Sequence, residues 1–291
     1  MTVARTVRLN KLRLIIFAAM LAVAGLLAAT TQAASAHTSG PRAFAWGGGA
    51  KPVIVLEHGA WADASSWNGV IARLQADGFT VYAPPNPLRG LPQDSAYLHD
   101  FLTQNAALAG KPVILVGHSY GGAVITNAAV GDSKVKALVF VDAFIPDKGE
   151  SLARLLGAFP GSCLGGPPAD TFNIVPFPST PQDVDTYILP GLVPGCFASG
   201  LPASQAAVIA ATQRPLAAST LGEPSGTPAW RTTPSWAVIG TADRVIPPAA
   251  LTFMANRAKA RITHVNAGHL SMIADPGVVT RVIIKAARAT S

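Results

Sequence analysis

The stretch that most constrains this chain runs from Val113 to Ala129. Four aliphatic residues lead into Gly117-His118-Ser119-Tyr120-Gly121-Gly122, and a small-residue helical pattern follows. A G-x-S-x-G sequence between a strand and a helix carries its serine on a sharp turn, where the backbone returns so close to itself that the neighbours cannot bear side chains. Such a turn sets Ser119 at the carboxyl end of a strand and the amino end of a helix, whose dipole favours developing negative charge.

The rest of the chain supplies the sheet that this turn requires. Val53–Leu56, Phe79–Ala83, Val113–Val116, Val135–Val141, Ser235–Ile239 and Arg261–Val265 read as strands. Helical patterns near 66–77, 94–109, 120–130, 249–260 and 276–289 alternate with them. Val- and Ile-rich runs without polar interruption are buried on both faces, so the expectation is an α/β domain over 51–289 with a mostly parallel sheet of about six strands. Residues 147–230 break the rhythm with nine prolines from Pro160 to Pro202 and both cysteines of the chain. A long insertion between two strands of such a core is usually a cap. Short helices are expected near 149–158 and 203–213, and Phe159, Phe172, Ile174, Phe177 and Leu189 argue against a disordered loop.

Arg5, Arg8, Lys11 and Arg13 precede an uncharged apolar stretch and then Ala34-Ser35-Ala36. This is the layout of a cleavable secretory signal over residues 1–36, with a retained membrane anchor as the alternative, and a Gly-rich lead-in over 37–50. The implied location is outside the cell by general secretion, with no stable membrane anchor after cleavage. Four of the 22 basic residues fall in the leader, leaving 18 against 15 acidic ones, or +3. That balance is too mild to argue for nucleic acid or an anionic surface. In an oxidising compartment Cys163 and Cys196 are most simply a disulfide, worth roughly 3–4 kcal/mol in the chain-entropy model; two buried thiols are the alternative.

A serine hydroxyl needs a base, and the base needs an orienting acid, in the chain order Ser, acid, His for this type of turn. His269 follows the last strand and Asp243 follows the one before it, both at carboxyl ends where catalytic groups of open α/β sheets gather. His37 and His99 precede the serine, and His264 lies inside a strand, where a hydrogen-bonded core imidazole is expected. Asp142, at the end of Val135–Val141, rivals Asp243 or else stabilises the neighbouring loop. Acyl transfer also needs amide donors for the oxyanion: that of Tyr120, after the nucleophile, and that of Ala60 in Glu57-His58-Gly59-Ala60-Trp61, with Trp61 next. Trp61 and His58 are candidates to line a pocket, Trp61 equally to pack in the core. Nothing resembles a metal cluster or a phosphate loop.

"LEHGAWADASSW", "LVGHSYGGAVITNAA", "DAFIPDKGES" and "AGHLSMIADP" together resemble the α/β-hydrolase superfamily. The resemblance is closest to its esterase-like branch of plant methylesterases, hydroxynitrile lyases and secreted bacterial hydrolases. It implies a cofactor-free serine hydrolase with Ser119, Asp243 and His269 as triad, acting on small-molecule esters. A hydroxynitrile-lyase-like chemistry and a non-catalytic ligand-binding member are the alternatives. The lyase branch normally wants a lysine from the cap, and none occurs between Lys148 and Lys259. Glu57 departs from the pattern: a carboxylate at the end of a buried strand should be paired, with Arg89 as a candidate partner, or should hold a raised pKa.

Overall fold

The structure is a computed structural model and describes residues 51–176 and 183–290. The expected leader at 1–36, the lead-in at 37–50 and Phe177 lie outside the described residues. In chain order the described strands are β1 (Val53–Glu57), β2 (Val81–Tyr82), β3 (Val113–His118), β4 (Val135–Val141), β5 (Phe172–Pro176), β6 (Val184–Ile188), β7 (Leu216–Ala217), β8 (Ser235–Gly240) and β9 (Arg261–Val265). The longer helices are α1 (Asn68–Ala76), α2 (Leu91–Gln104), α3 (Tyr120–Ala128), α4 (Leu152–Ala158), α5 (Ala203–Ala211), α6 (Pro248–Arg257) and α7 (Pro276–Ala289).

Six strands form one sheet in the order β2-β1-β3-β4-β8-β9, every pairing parallel. β1, β3 and β8 are buried along their whole length, as the uninterrupted aliphatic runs require. The register sets Glu57 opposite Gly117 and His118 opposite Val141, so the carboxyl ends of β1, β3 and β4 lie side by side. Helix α7 shows how the covering helices are specified. Asp275 accepts the Val278 N–H at 3.0 Å and Pro276 opens the first turn. Val279, Val282, Ile283 and Ala286 then face the core. Burying each of the larger aliphatic side chains contributes about 1.5–3 kcal/mol.

Three expectations change at the sheet edges. The run Phe79–Ala83 pairs only at Val81 and Tyr82, because Pro84 and Pro85 follow and cannot donate. His264 is exposed, not a core imidazole: β9 is the outer strand, and one of its faces meets solvent. The helix expected over 94–109 begins at Leu91, with Pro92 in its first turn, and stops at Gln104. Asn105 takes an extended conformation there, and its side chain caps a separate short turn, Ala106–Leu108.

The segment between β4 and β8 contains α4 and α5 near their expected positions, together with an antiparallel sheet in the order β5-β6-β7. The disulfide joins Cys163 to Cys196 within it. It is fastened to the core by the Arg89–Asp185 ion pair at 2.5 Å and by Trp61, whose Nε1–H donates to the Thr186 carbonyl at 3.0 Å.

Candidate active site

The turn after β3 has the geometry that its glycines imply. Ser119 sits at φ +51°, ψ −122°, a left-handed conformation that costs a non-glycine residue about 1–3 kcal/mol. A Cβ on Gly117 would come within 2.5 Å of the Gly121 carbonyl oxygen, and one on Gly121 within 2.6 Å of that of Glu57. The Ser119 backbone is pinned on both sides: its N–H donates to Val141 O at 3.2 Å, and its carbonyl accepts from Phe144 N at 3.1 Å.

From that turn the Ser119 hydroxyl reaches His269 Nε2 at 2.9 Å, and His269 Nδ1 lies 2.8 Å from Asp243 Oδ2. A carboxylate only accepts, so Nδ1 carries the imidazole proton and Nε2 is free to accept the hydroxyl's. Asp243 Oδ1 takes the N–H groups of Val245 and Ile246 at 2.8 and 3.0 Å, which fixes the carboxylate's orientation. All three side chains are buried. Burial opposes charging of His269, but the charge of Asp243, its hydrogen bond and the charge of Asp142 outweigh it and raise the imidazole above its ordinary 6.5.

Asp142 lies in the same cluster without bonding the imidazole. Its Oδ1 accepts the Gly240 N–H at 2.6 Å, its Oδ2 the Ser271 N–H at 3.2 Å, and its own φ is +45°. It therefore ties the strand end that leads to Asp243 to the loop that carries His269. Burial, and then the neighbouring charge of Asp243, push its carboxyl up to about 7.

The loop after β1 crosses over Ser119: a Cβ on Gly59 would lie 2.8 Å from the Ser119 Cβ. Among the described residues the hydrogen bonds leave the amides of Ala60 and Tyr120 unspent. The Tyr120 hydroxyl donates to Asp94 Oδ2 at 2.7 Å, anchoring the first residue of α3.

The two pocket candidates differ. His58 offers nothing to a pocket, because its ring is wholly buried: Nε2 accepts the Asn86 N–H and Nδ1–H donates to Gly59 O, each at 2.9 Å. Burial, joined by the charge of Arg214, lowers it to about 4 against a smaller opposing pull from the Gly59 carbonyl. Trp61 packs as a core residue: it is buried and stacks on Phe172 at 5.3 Å. It also walls a cleft of about 300 Å³ with Asp63, Gln205, Ile209, Met272 and Ile273, whose lining includes none of Ser119, Asp243 and His269. For Glu57 the raised-pKa alternative holds. Burial first, and the charge of Asp94 second, push it well above the carboxylate range, and among the described residues its Oε2 has no hydrogen-bond partner. Arg89 forms its ion pair with Asp185.

Sequence reasoning missed the aromatic surround. Phe197 packs 5.6 Å from the His269 ring and 6.4 Å from Trp61. The one sequence signal for it was its place beside Cys196. Among the described residues no group of three or more His, Cys, Asp or Glu side chains gathers as metal ligands do.

The model of the alpha/beta hydrolase family matches residues 53–282. A carbendazim hydrolyzing esterase of Nocardioides sp. (strain SG-4G) is 31% identical over 180 residues, 49% of this chain and 74% of that protein. Methylesterase 7 of Arabidopsis thaliana is 38% identical over 106 residues, 32% of this chain and 40% of its own length. The crystal structure of polyneuridine aldehyde esterase superposes with a TM-score of 0.68 at 18% identity, covering 81% of this chain and 99% of that one. A likeness at that identity speaks to the fold alone.

Proposed function

The chain belongs to the alpha/beta hydrolase family, and from that premise we propose that it is a secreted carboxylesterase that cleaves small to medium uncharged esters through an acyl-enzyme on Ser119. The observation that carries this reading is the unbroken line of hydrogen bonds from the Ser119 hydroxyl through His269 to Asp243, at 2.9 and 2.8 Å.

Ser119 Oγ attacks the ester carbonyl carbon while His269 Nε2 takes the hydroxyl proton, and Asp243 stabilises the resulting imidazolium. The amides of Ala60 and Tyr120 donate to the oxyanion of the tetrahedral adduct, an interaction worth about 3–4 kcal/mol per donor in comparable sites. The adduct collapses by breaking the bond to the alcohol oxygen, which leaves with the Nε2 proton. Water then enters, loses a proton to Nε2 and attacks the acyl carbon; the acid departs and Ser119 regains its hydrogen.

The aromatic face of Trp61, on the loop that carries the Ala60 amide, favours uncharged groups, since an unpaired charge against it would be desolvated without compensation. The tripartite leader and the Cys163–Cys196 bond both suit an oxidising compartment. The test is Ser119→Ala assayed on p-nitrophenyl butyrate: turnover should fall at least a thousandfold, on the order of the loss known for triad serines. Undiminished turnover would reject the assignment.

A further inference from the structure

The segment around Cys196 is bound to the loops that bear the acid and the base. Val193, Cys196, Phe197 and Ala198 are buried within it. Arg244, next to Asp243, donates from its guanidinium to the Gly195 carbonyl at 2.7 Å. On the other side of the disulfide, the Cys163 N–H donates to Arg244 O at 2.8 Å and the Ser162 hydroxyl to Val245 O at 2.7 Å. Gly268, which precedes His269, lies so near the backbone and hydroxyl of Ser199 that a Cβ could not be fitted between them. Two stretches of the insertion thus grip Arg244-Val245, and a covalent bond joins the two stretches to each other.

The imidazole has one ring neighbour from each side of this arrangement. His118, from the sheet, lies 4.8 Å away and donates Nε2–H to the His269 carbonyl at 3.0 Å. Phe197, from the insertion, lies 5.6 Å away and itself abuts Trp61. With no polar atom to hold the ring by a bond, Phe197 acts by occupying space and excluding water.

We propose that Phe197, held in place by the Cys163–Cys196 disulfide, is a positioning residue for the proposed ester hydrolysis, keeping the His269 imidazole on the line between Ser119 and Asp243. This rests on the triad reading above. A ring free to tilt loses alignment with the hydroxyl, and misplacement by about 1 Å can cost on the order of a hundredfold in rate.

The test uses the disulfide-intact protein, Phe197→Ala, Phe197→Leu, and the pair Cys163→Ser with Cys196→Ser, alone and combined with Phe197→Ala. Each is assayed on p-nitrophenyl acetate well below its unfolding midpoint, with folding checked by circular dichroism. Phe197→Ala should lower kcat about tenfold with KM little changed, a fraction of the full misplacement cost. Phe197→Leu should recover most of that loss by refilling the space. The serine pair should lower kcat to a similar extent, and combining it with Phe197→Ala should add little more. A fluorophosphonate reaction of the unaltered protein separates the two readings: no label on Ser119 would overturn the triad and this inference together. Labelling of the unaltered protein with a wild-type kcat for Phe197→Ala, an effect confined to KM, or fully additive losses would overturn the positioning role alone.

Discussion

Gly59 and Ser119 are packed so tightly that a Cβ on the glycine would stand 2.8 Å from the Cβ of the serine, with His118 Nδ1 at 2.9 Å on another side. Neither neighbour can withdraw: Ser119 is pinned to Val141 and Phe144, and His118 is tied to the His269 carbonyl. Gly59→Ala should therefore move the loop that carries the Ala60 amide. The expected result is a kcat loss of roughly 10- to 100-fold, approaching that of removing one oxyanion donor, in a protein that remains folded by circular dichroism. Wild-type kcat in this variant would mean that the loop has slack which the packing denies.

On the proposed mechanism, the pH dependence of the rate follows from His269. The base must be neutral to accept the hydroxyl proton, and its pKa is raised above 6.5 by Asp243 and Asp142 against the opposing effect of burial. The acid limb of kcat/KM should accordingly have its inflection above 6.5, with activity rising as pH rises through it. A pH-stat titration of an unactivated ester measures this directly; an inflection below 6.5 would contradict the electrostatics of the cluster.

Asp142 holds two buried backbone donors, the amides of Gly240 and Ser271. Asp142→Ala strands both, at about 1–3 kcal/mol each, and frees the turn before Asp243 from the loop after His269. Denaturant unfolding should show a loss of about 2–6 kcal/mol, and kcat should fall. Asp142→Asn, which keeps an acceptor for Gly240, should lose less on both measures. Equal losses in the two variants would show that the carboxylate's charge matters and its hydrogen bonds do not.

His58 supplies an acid-stability signature. Its pKa is about 4 in the fold, against 6.5 for the free side chain, so the unfolded chain binds the proton first. The stabilisation is complete above 6.5 and is lost as pH falls towards 4. At 1.36 kcal/mol per pKa unit it amounts to about 3 kcal/mol. Asp142, raised to about 7, runs in the opposite direction over an overlapping range, so the comparison must be made against a variant. Between pH 7 and pH 4, the wild type should lose about 3 kcal/mol more than His58→Asn in urea melts; parallel curves would remove His58 from the acid response.

Much of this was legible because the residues concerned obey local rules. The aliphatic runs of β3 and β8 can only be buried strands, and a Gly-flanked serine between strand and helix admits few backbone paths. Asp243 and His269 could be named because strand ends place them on one rim of the sheet. What escaped the sequence depends on contacts between distant segments. β5 is largely solvent-facing and β6 only half-buried, and neither sequence alternates cleanly between apolar and polar residues, so their pairing left no period to read. Phe197 reaches His269 only through the folding of a proline-rich segment, and His264 could not be assigned to an outer strand before the strand order was known. His58 is committed to Asn86, 28 positions away, which no local pattern announces.

The most direct test of the Ser119–His269–Asp243 chemistry is to trap the covalent intermediate. Protein turning over p-nitrophenyl butyrate is quenched in acid, digested, and its peptides are weighed by mass spectrometry. The expected result is one butyryl group on the peptide that carries Ser119, absent in Ser119→Ala. Sustained turnover with that peptide unmodified, or with the acyl group on another residue, would contradict it.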